Sequence, residues 1–263
     1  MHQTPAFPVL LQLIDERSTA LRAAVASASG LELPVPTCPE WTLFDLVQHL
    51  GQVHRFWARA VEAGPADAPP AEPASQDAGA PREPGALLDW SADSTRLLLE
   101  ALREAGPDRG CWTWWGGSSS PQNSGAVARH QVQEATVHTY DAQLTVGAPQ
   151  PLPQEAALDG VDEFLTTCCE GTDPWPHEAG AIDFQATEGR AWRMSLSADG
   201  SRTTRLPAPG TAAATPVGSA GAATVSARGT AVELVLSLYG RIPLDSLEIE
   251  GDRRQLEWFR DWD

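Results

Sequence analysis

Residues 42–64, TLFDLVQHLGQVHRFWARAVEAG, decide the architecture of the first half of the chain. Thr42 can cap a helix at its N-terminus, and Asp45, three positions on, is an imperfect third member of a capping box. The large apolar residues that follow recur at helical spacing as far as Gly64, so the segment predicts a long amphipathic helix. These residues are Leu46, Val47, Leu50, Val53, Phe56, Trp57 and Val61.

Other segments of the first 172 residues have the same helical period. They lie at 6–28, 85–105, 125–146 and 153–170. Between them, the proline-containing residues 31–41 predict an ordered loop, and the Pro-, Ala- and acid-rich residues 64–85 predict a mobile surface loop. The chain therefore begins with four or five helices.

The pattern changes beyond about residue 180. Residues 182–186 and 192–196 alternate apolar and polar side chains within the stretch 181–228, which is typical of antiparallel strands. Two more helices are predicted at 230–240 and 252–262. The sequence thus predicts an α+β fold, with a small α+β unit beginning after a boundary near 172–180.

The charge of the chain excludes several classes of partner. It has 263 residues, with 18 basic and 35 acidic side chains and a formal net charge of −17. So acidic a protein repels nucleic acid and anionic membrane surfaces. No segment has the roughly 18 consecutive apolar residues of a membrane helix, and the N-terminus lacks the pattern of a signal peptide. We therefore expect a cytoplasmic protein, with a monomer favoured because no coiled-coil seam is present.

The four cysteines point to neither a disulfide scaffold nor a cysteine zinc site. Cys38, Cys111, Cys168 and Cys169 form no CxxC pair, and adjacent cysteines do not easily pair with each other. Nothing in the sequence marks any of them as an activated nucleophile. We expect free thiols, with a structural role for Cys38 in its proline-flanked loop.

Residues 128–144, ARHQVQEATVHTYDAQL, place three potential metal ligands on one helical stripe. His130, Glu134 and His138 are each four positions apart, and a step of four drifts only about 40° around a helix. Imidazole nitrogen and carboxylate oxygen are suitable ligands for a divalent metal such as zinc. The same spacing is also typical of a weak surface ion pair or of hydrogen-bonded core histidines, and spacing alone leaves these alternatives open.

A third ligand would have to come from a neighbouring helix, and His49 is the leading candidate. It lies beside Leu46 and Leu50 on an apolar helix face, where an unpaired imidazole is costly. His54 is about 140° around the same helix, so it cannot face the same metal. Asp141, three positions after His138, either orients the imidazole of that ligand or is a helix-surface acid.

The loop before this helix holds Trp112, Trp114 and Trp115. Its tryptophans either close the end of the helical bundle or form the wall of a pocket above the metal. The adjoining residues 118–120 are serines, but they lack the GxSxG context of a nucleophile elbow.

Four stretches resemble the mycothiol-dependent maleylpyruvate isomerase family, whose N-terminal part is a DinB-like four-helix bundle. They are VPTCPEWTLFDLVQHLGQVHRFW at 35–57, CWTWWGG and the following PQ within 111–122, RHQVQEATVHTYDAQ at 129–143, and LVLSLYGRIPLDSLEIEGD at 234–252. The resemblance implies a DinB-like up-and-down four-helix bundle in residues 1–172. It also implies a small C-terminal α+β domain in residues 180–263.

The resemblance also implies a site. Its metal, usually zinc, is held by residues matching His49, Glu134 and His138, which leaves His130 out. Arg241 matches a family arginine that can bind a substrate carboxylate, although it can equally cap the preceding helix or pair with Asp245.

The chemistry implied by the resemblance uses mycothiol as a cosubstrate. The metal favours the thiolate, which attacks a small electrophilic molecule. Addition to a double bond followed by elimination gives an isomerase, and release of the adduct gives a thiol S-transferase. Two alternatives remain: a zinc hydrolase or lyase that activates water, and a ligand-binding module without catalysis.

Overall fold

The computed structural model describes residues 4–71, 79–207 and 223–262. Four long helices belong to a first compact unit of Pro5–Gly116 and Pro121–Leu152. They are α1 (Phe7–Ala26), α2 (Leu43–Ala63), α3 (Pro84–Ala105) and α4 (Ser124–Thr145). In this unit α1 packs against α3 and α4, and α2 also packs against α3 and α4. The four helical segments predicted from periodicity are confirmed.

The start of α2 has the expected cap. The Thr42 hydroxyl accepts a hydrogen bond from the Asp45 amide at 3.3 Å, and the Asp45 carboxylate accepts one from the Thr42 amide at 2.9 Å. Leu46, Val47 and Leu50 behind the cap are almost fully buried. Because the cap satisfies backbone groups that the first helical turn leaves unpaired, it fixes where α2 begins.

A two-stranded hairpin precedes α2 where the sequence predicted an ordered loop. Strand β1 (Pro34–Val35) pairs antiparallel with β2 (Cys38–Thr42), and β2 runs directly into the helix. The Leu43 and Phe44 amides donate to the Leu33 and Leu31 carbonyls, both at 3.0 Å, which ties the hairpin to the helix start. The prolines hide these strands from sequence reasoning because they interrupt the alternating pattern.

A second compact unit contains Gly117–Ser120 and the chain from Pro153 onward. Its sheet has the strand order β5-β4-β3-β6-β7. Its elements are α5 (Gln154–Glu163), β3 (Gly180–Ala186), β4 (Ala191–Ser197), β5 (Gly200–Leu206), β6 (Val225–Gly229), α6 (Ala231–Leu238), β7 (Glu248–Gly251) and α7 (Arg253–Arg260). The overall α+β class is confirmed. Among the described residues, no helix is long and apolar enough to cross a bilayer.

The second unit differs from the prediction in three details. Strands β3 and β6 pair in parallel, whereas the other neighbouring strands of the sheet are antiparallel. Strand β7 was not predicted, because four residues are too few to show a period. The fifth predicted helix changes to a π-helical turn at Phe164–Cys168, where the Cys169 amide donates to the Phe164 carbonyl at 3.0 Å.

Two sequence expectations extend beyond what the structure describes. Residues 72–78 of the predicted surface loop at 64–85, and residues 208–222 of the predicted strand region at 181–228, lie outside the described residues. The division into domains at 1–172 and 180–263 stays a prediction. In the structure, α5 belongs to the same compact unit as the sheet. The continuous part of this unit therefore begins at residue 153.

Candidate metal centre

Three predicted ligands lie together in the four-helix unit. His49 comes from α2, and Glu134 and His138 come from successive turns of α4. The Oε2 atom of Glu134 is 3.5 Å from the Nε2 atom of His49 and 3.5 Å from that of His138. One ligand atom from each residue lies within 4.8 Å of those of the other two.

Asp141 lies one turn beyond His138 and contacts its ring. The Oδ2 atom of Asp141 is 2.9 Å from Nδ1 of His138, and this carboxylate is fully buried. A carboxylate at Nδ1 favours the tautomer with the proton on that nitrogen, which leaves Nε2 free to act as a ligand. Of the two sequence interpretations of Asp141, the orienting contact is the one that the geometry supports.

The protonation states of the cluster follow from these contacts. Burial alone would lower the pKa of His138, but Asp141 and Glu134 beside the ring raise it to about 9. Burial would raise the pKa of Glu134, but the neighbouring His138 and His49 hold it well below its usual value. In the absence of a cation, a proton on His138 therefore balances the Glu134 carboxylate at neutral pH. A divalent cation would replace this proton, so cation binding is expected to weaken in acid.

The cluster fits a divalent metal on two grounds. The Oε2 atom of Glu134 is buried and has no hydrogen-bond partner among the residues that the structure describes. An unsatisfied carboxylate oxygen between two imidazoles is costly unless a cation or proton lies beside it. The donor set of two imidazoles and one carboxylate is also that of catalytic zinc sites that keep a coordination position open.

The exposed side of the cluster adjoins a polar pocket. Within the cluster, His49 is the most exposed ligand, with 34% of its side chain accessible. The Trp41 ring lies 4.7 Å from the His49 ring and 5.8 Å from the His138 ring, measured between centroids. The pocket has a volume of about 380 Å³ and is lined by Glu40, Trp41, Asp45, Gln48, His49 and Gln52. A small molecule can therefore approach His49 from solvent.

Comparisons with known proteins identify the family of the chain. A family model described as the mycothiol maleylpyruvate isomerase N-terminal domain matches residues 11–143, and one described as the MDMPI C-terminal domain matches residues 155–257. The chain belongs to this family. No curated protein matches it.

Two solved structures of the family have the same fold. The mycothiol-dependent maleylpyruvate isomerase has a TM-score of 0.61 and 16% identity, and a histidine-to-alanine mutant described by the same name has 0.60 and 14%. Each match covers 94% of this chain and 95% of the other. At this identity, the likeness shows the fold and leaves the activity to be argued from the site.

His130, which the family resemblance leaves out, lies beside the cluster in an aromatic box. Its Nε2 atom is 3.7 Å from Oε1 of Glu134, the oxygen that faces away from the other two histidines. Its ring is surrounded by Trp57, Trp114 and Trp115, at centroid distances of 6.1, 5.6 and 5.4 Å. These aromatic rings limit where the His130 imidazole can lie.

The structure supports one of the two roles predicted for the tryptophan loop, and the pocket-wall role stays a prediction. Trp115 is buried, lies 5.2 Å from the Trp57 ring and donates from Nε1 to the Pro121 carbonyl at 3.0 Å, as expected of a residue that closes the end of the bundle. Trp114 is 48% exposed while its ring contacts His130. An exposed indole so near the cluster offers an apolar face to a bound molecule.

Arg241, on the C-terminal unit, caps the end of α6. Its NH1 group donates to the Tyr239 carbonyl at 2.7 Å. The alternative partner, Asp245, instead lies 2.6 Å from Arg253. Contact with a substrate carboxylate stays a proposal for Arg241.

The four cysteines and His54 lie in surroundings that favour a structural role over a catalytic one. All four cysteines are free thiols, as expected. Burial raises the pKa of Cys111 to about 11 and also raises that of Cys169, which disfavours the reactive thiolate at both positions. His54 is buried against Thr95 of α3, with 3.3 Å between Nδ1 and Oγ1, and it does not join the ligand cluster.

Sequence reasoning missed the residues that the β1–β2 hairpin brings to the site. Trp41 packs against two ligands, and Thr37 and Cys38 contact Asp141. Thr37 and Asp141 are 104 positions apart in the chain. No local sequence pattern predicts so distant a contact. Trp41 directly precedes the helix cap at Thr42, and this position alone could have placed its ring near the helix that carries His49.

Proposed function

We propose that the protein is a metal-dependent enzyme that uses mycothiol as a nucleophilic cosubstrate on a small electrophilic molecule, as an isomerase or a thiol S-transferase. The observation that carries this proposal is the buried Oε2 atom of Glu134, which lies 3.5 Å from each of two imidazole nitrogens and has no hydrogen-bond partner of good geometry among the described residues. Membership of the mycothiol maleylpyruvate isomerase family supports the choice of thiol.

His49, Glu134 and His138 would hold the metal, and zinc suits these donors best. Bound there, the cation would supply Lewis acidity that favours the thiolate form of a thiol at neutral pH. Asp141 holds the proton on Nδ1 of His138, so that Nε2 faces the other two ligands. His138 is buried, whereas His49 adjoins the pocket that would admit the reactants.

We also propose that Arg241 binds a carboxylate of the electrophile. A guanidinium presents its donors in a planar fork that matches the geometry of a carboxylate. The family resemblance at residues 234–252 supports this role, and the contact with the Tyr239 carbonyl fixes where the arginine head lies.

Turnover should require the thiol. The zinc-loaded protein is assayed with two electrophiles, maleylpyruvate for isomerisation and chlorodinitrobenzene for S-transfer. With mycothiol we expect turnover of at least one. Without thiol we expect the rate to fall to that of buffer, because no nucleophile then reaches the electrophile. His49→Ala should abolish this turnover, whereas the matched control His177→Ala, which removes an exposed histidine of the C-terminal unit, should keep it.

Two results would contradict the proposal in different ways. A rate that is unchanged when the thiol is omitted would point to water as the nucleophile, and thus to a zinc hydrolase or lyase. No turnover of either electrophile, with zinc and mycothiol both bound, would favour a ligand-binding module.

A further inference from the structure

We infer that Thr37 is a positioning residue for the metal centre: it holds Asp141 in place, and Asp141 in turn fixes the orientation of His138. This inference rests on the proposed metal site and assigns a role to the hairpin that precedes α2.

The contact between Thr37 and Asp141 is direct. The Thr37 hydroxyl donates to Oδ1 of Asp141 at 2.6 Å, while Oδ2 of the same carboxylate lies 2.9 Å from Nδ1 of His138. The Cys38 thiol adds a weaker contact to Oδ2 at 3.9 Å. Thr37 therefore engages the oxygen opposite to the one that meets the histidine, and the carboxylate is held from both sides.

The hairpin is well placed to act on both helices that supply ligands. Thr37 lies between β1 and β2 and reaches Asp141 on α4. Four residues on, Trp41 packs against the rings of His49 and His138. The next residue, Thr42, caps α2, which carries His49. Residues 37–42 thus contact the site at three points along one short segment.

Loss of the Thr37 hydroxyl would remove a hydrogen-bond donor from the buried carboxylate of Asp141. This carboxylate is fully buried, so solvent cannot replace a hydrogen-bond donor that is removed from it. The terminal torsion of an aspartate is broad, so loss of the short hydrogen bond from Thr37 widens the range of orientations open to the carboxylate. Rotation of Asp141 would release the Nδ1 side of His138 and so loosen a ligand that the metal requires.

Thr37→Val tests this inference by removing the hydroxyl at nearly constant volume. We expect the zinc dissociation constant, measured by competition with a chromophoric chelator, to rise about 10- to 100-fold, as is usual for partners of metal ligands. Thr37→Ser keeps the donor and should stay within about threefold of the wild type. Thr203→Val is the matched control, because it removes a threonine hydroxyl that donates to the Leu165 carbonyl at 2.8 Å in the other unit.

Urea unfolding of each metal-free variant separates positioning from simple destabilisation. If Thr37→Val does not fold, Thr37→Ala serves in its place. Zinc affinity unchanged in the variant, or equally weakened in Thr37→Ser, would overturn the inference and leave the proposed function intact. A wild-type protein that takes up no zinc would contradict the proposed function and this inference together.

Discussion

Replacing Glu134 with glutamine should weaken zinc binding by more than about 100-fold, a larger loss than the usual effect of changing a partner of a ligand. Glutamine has the shape of glutamate but carries no charge, and one of its two terminal atoms is an amide nitrogen that does not bind metal. The wild-type carboxylate oxygen lies 3.5 Å from each of two imidazole nitrogens, so the substitution removes the negative charge at the middle of the cluster.

The measurement is the zinc dissociation constant of the metal-free protein, again by chelator competition. Glu248→Gln is the control, because Glu248 is an exposed residue of β7 that pairs with Arg228 at 2.7 Å. It should bind zinc as the wild type does. If Glu134→Gln also keeps the wild-type affinity, the cluster is not the metal site.

The second large effect concerns His54 and acid stability. Burial lowers the pKa of this histidine to about 3, from an ordinary value of 6.5. The Thr95 hydroxyl donates to the Ser91 carbonyl at 3.1 Å and accepts from Arg22 at 3.2 Å, so its contact with Nδ1 of His54 requires the proton on that nitrogen. Nε2 of His54 is buried and has no partner in the described part of the chain. A second proton there would have no acceptor.

The folded state therefore resists protonation of His54, and the unfolded state does not. Between pH 6.5 and about 3 the unfolded chain binds one more proton at this residue, so its contribution to stability is full above pH 6.5 and is lost as the pH falls. Each unit of pH in this window costs about 1.4 kcal/mol. The free energy of unfolding should thus fall by about 2 kcal/mol between pH 6.5 and 4.5 through His54.

The part of this window between pH 6.5 and 4.5 separates the loss of stability at His54 from the losses at the metal ligands. Because its pKa is raised, His138 contributes to the stability of the folded state fully below pH 6.5, and this contribution is lost as the pH rises toward 9. Because its pKa is lowered, Glu134 contributes to the stability of the folded state fully above its ordinary pKa of 4.5, and this contribution is lost at lower pH.

Urea unfolding of metal-free protein across the window measures the slope. His54→Leu should flatten it by about 1.4 kcal/mol per pH unit, whereas His177→Leu, at an exposed histidine, should keep the wild-type slope. Equal slopes in the wild type and His54→Leu would show that His54 is not a buried neutral group.

The parts of the fold that were predictable are those determined by local chemistry. The cap at Thr42 and Asp45 and the apolar stripe behind it fix α2 within a few residues of the predicted bounds. The hairpin and β7 were missed because short strands gain their stability from pairing partners elsewhere in the chain. The parallel pairing of β3 with β6 likewise depends on tertiary context.

The residues of the site likewise fall into those that local spacing predicts and those that depend on tertiary contacts. Glu134 and His138 share a helical stripe that the spacing of four predicts. His49 lies on another helix, where its place on an apolar face made it the leading candidate. The family resemblance strengthened that choice, because spacing cannot tell which helix face meets α4. Thr37 and Trp41 reach the site through the hairpin, which the sequence did not predict.

The proposed function depends on the binding of a thiol to a metal held by His49, Glu134 and His138. The most direct test replaces zinc with cobalt(II), whose absorption spectrum reports its ligands, and titrates the loaded wild-type protein with mycothiol. We expect a sulfur-to-cobalt charge-transfer band that saturates at one equivalent of thiol and is absent in Glu134→Gln. A cobalt-loaded protein whose spectrum does not change at saturating thiol would show that the thiol does not bind the metal.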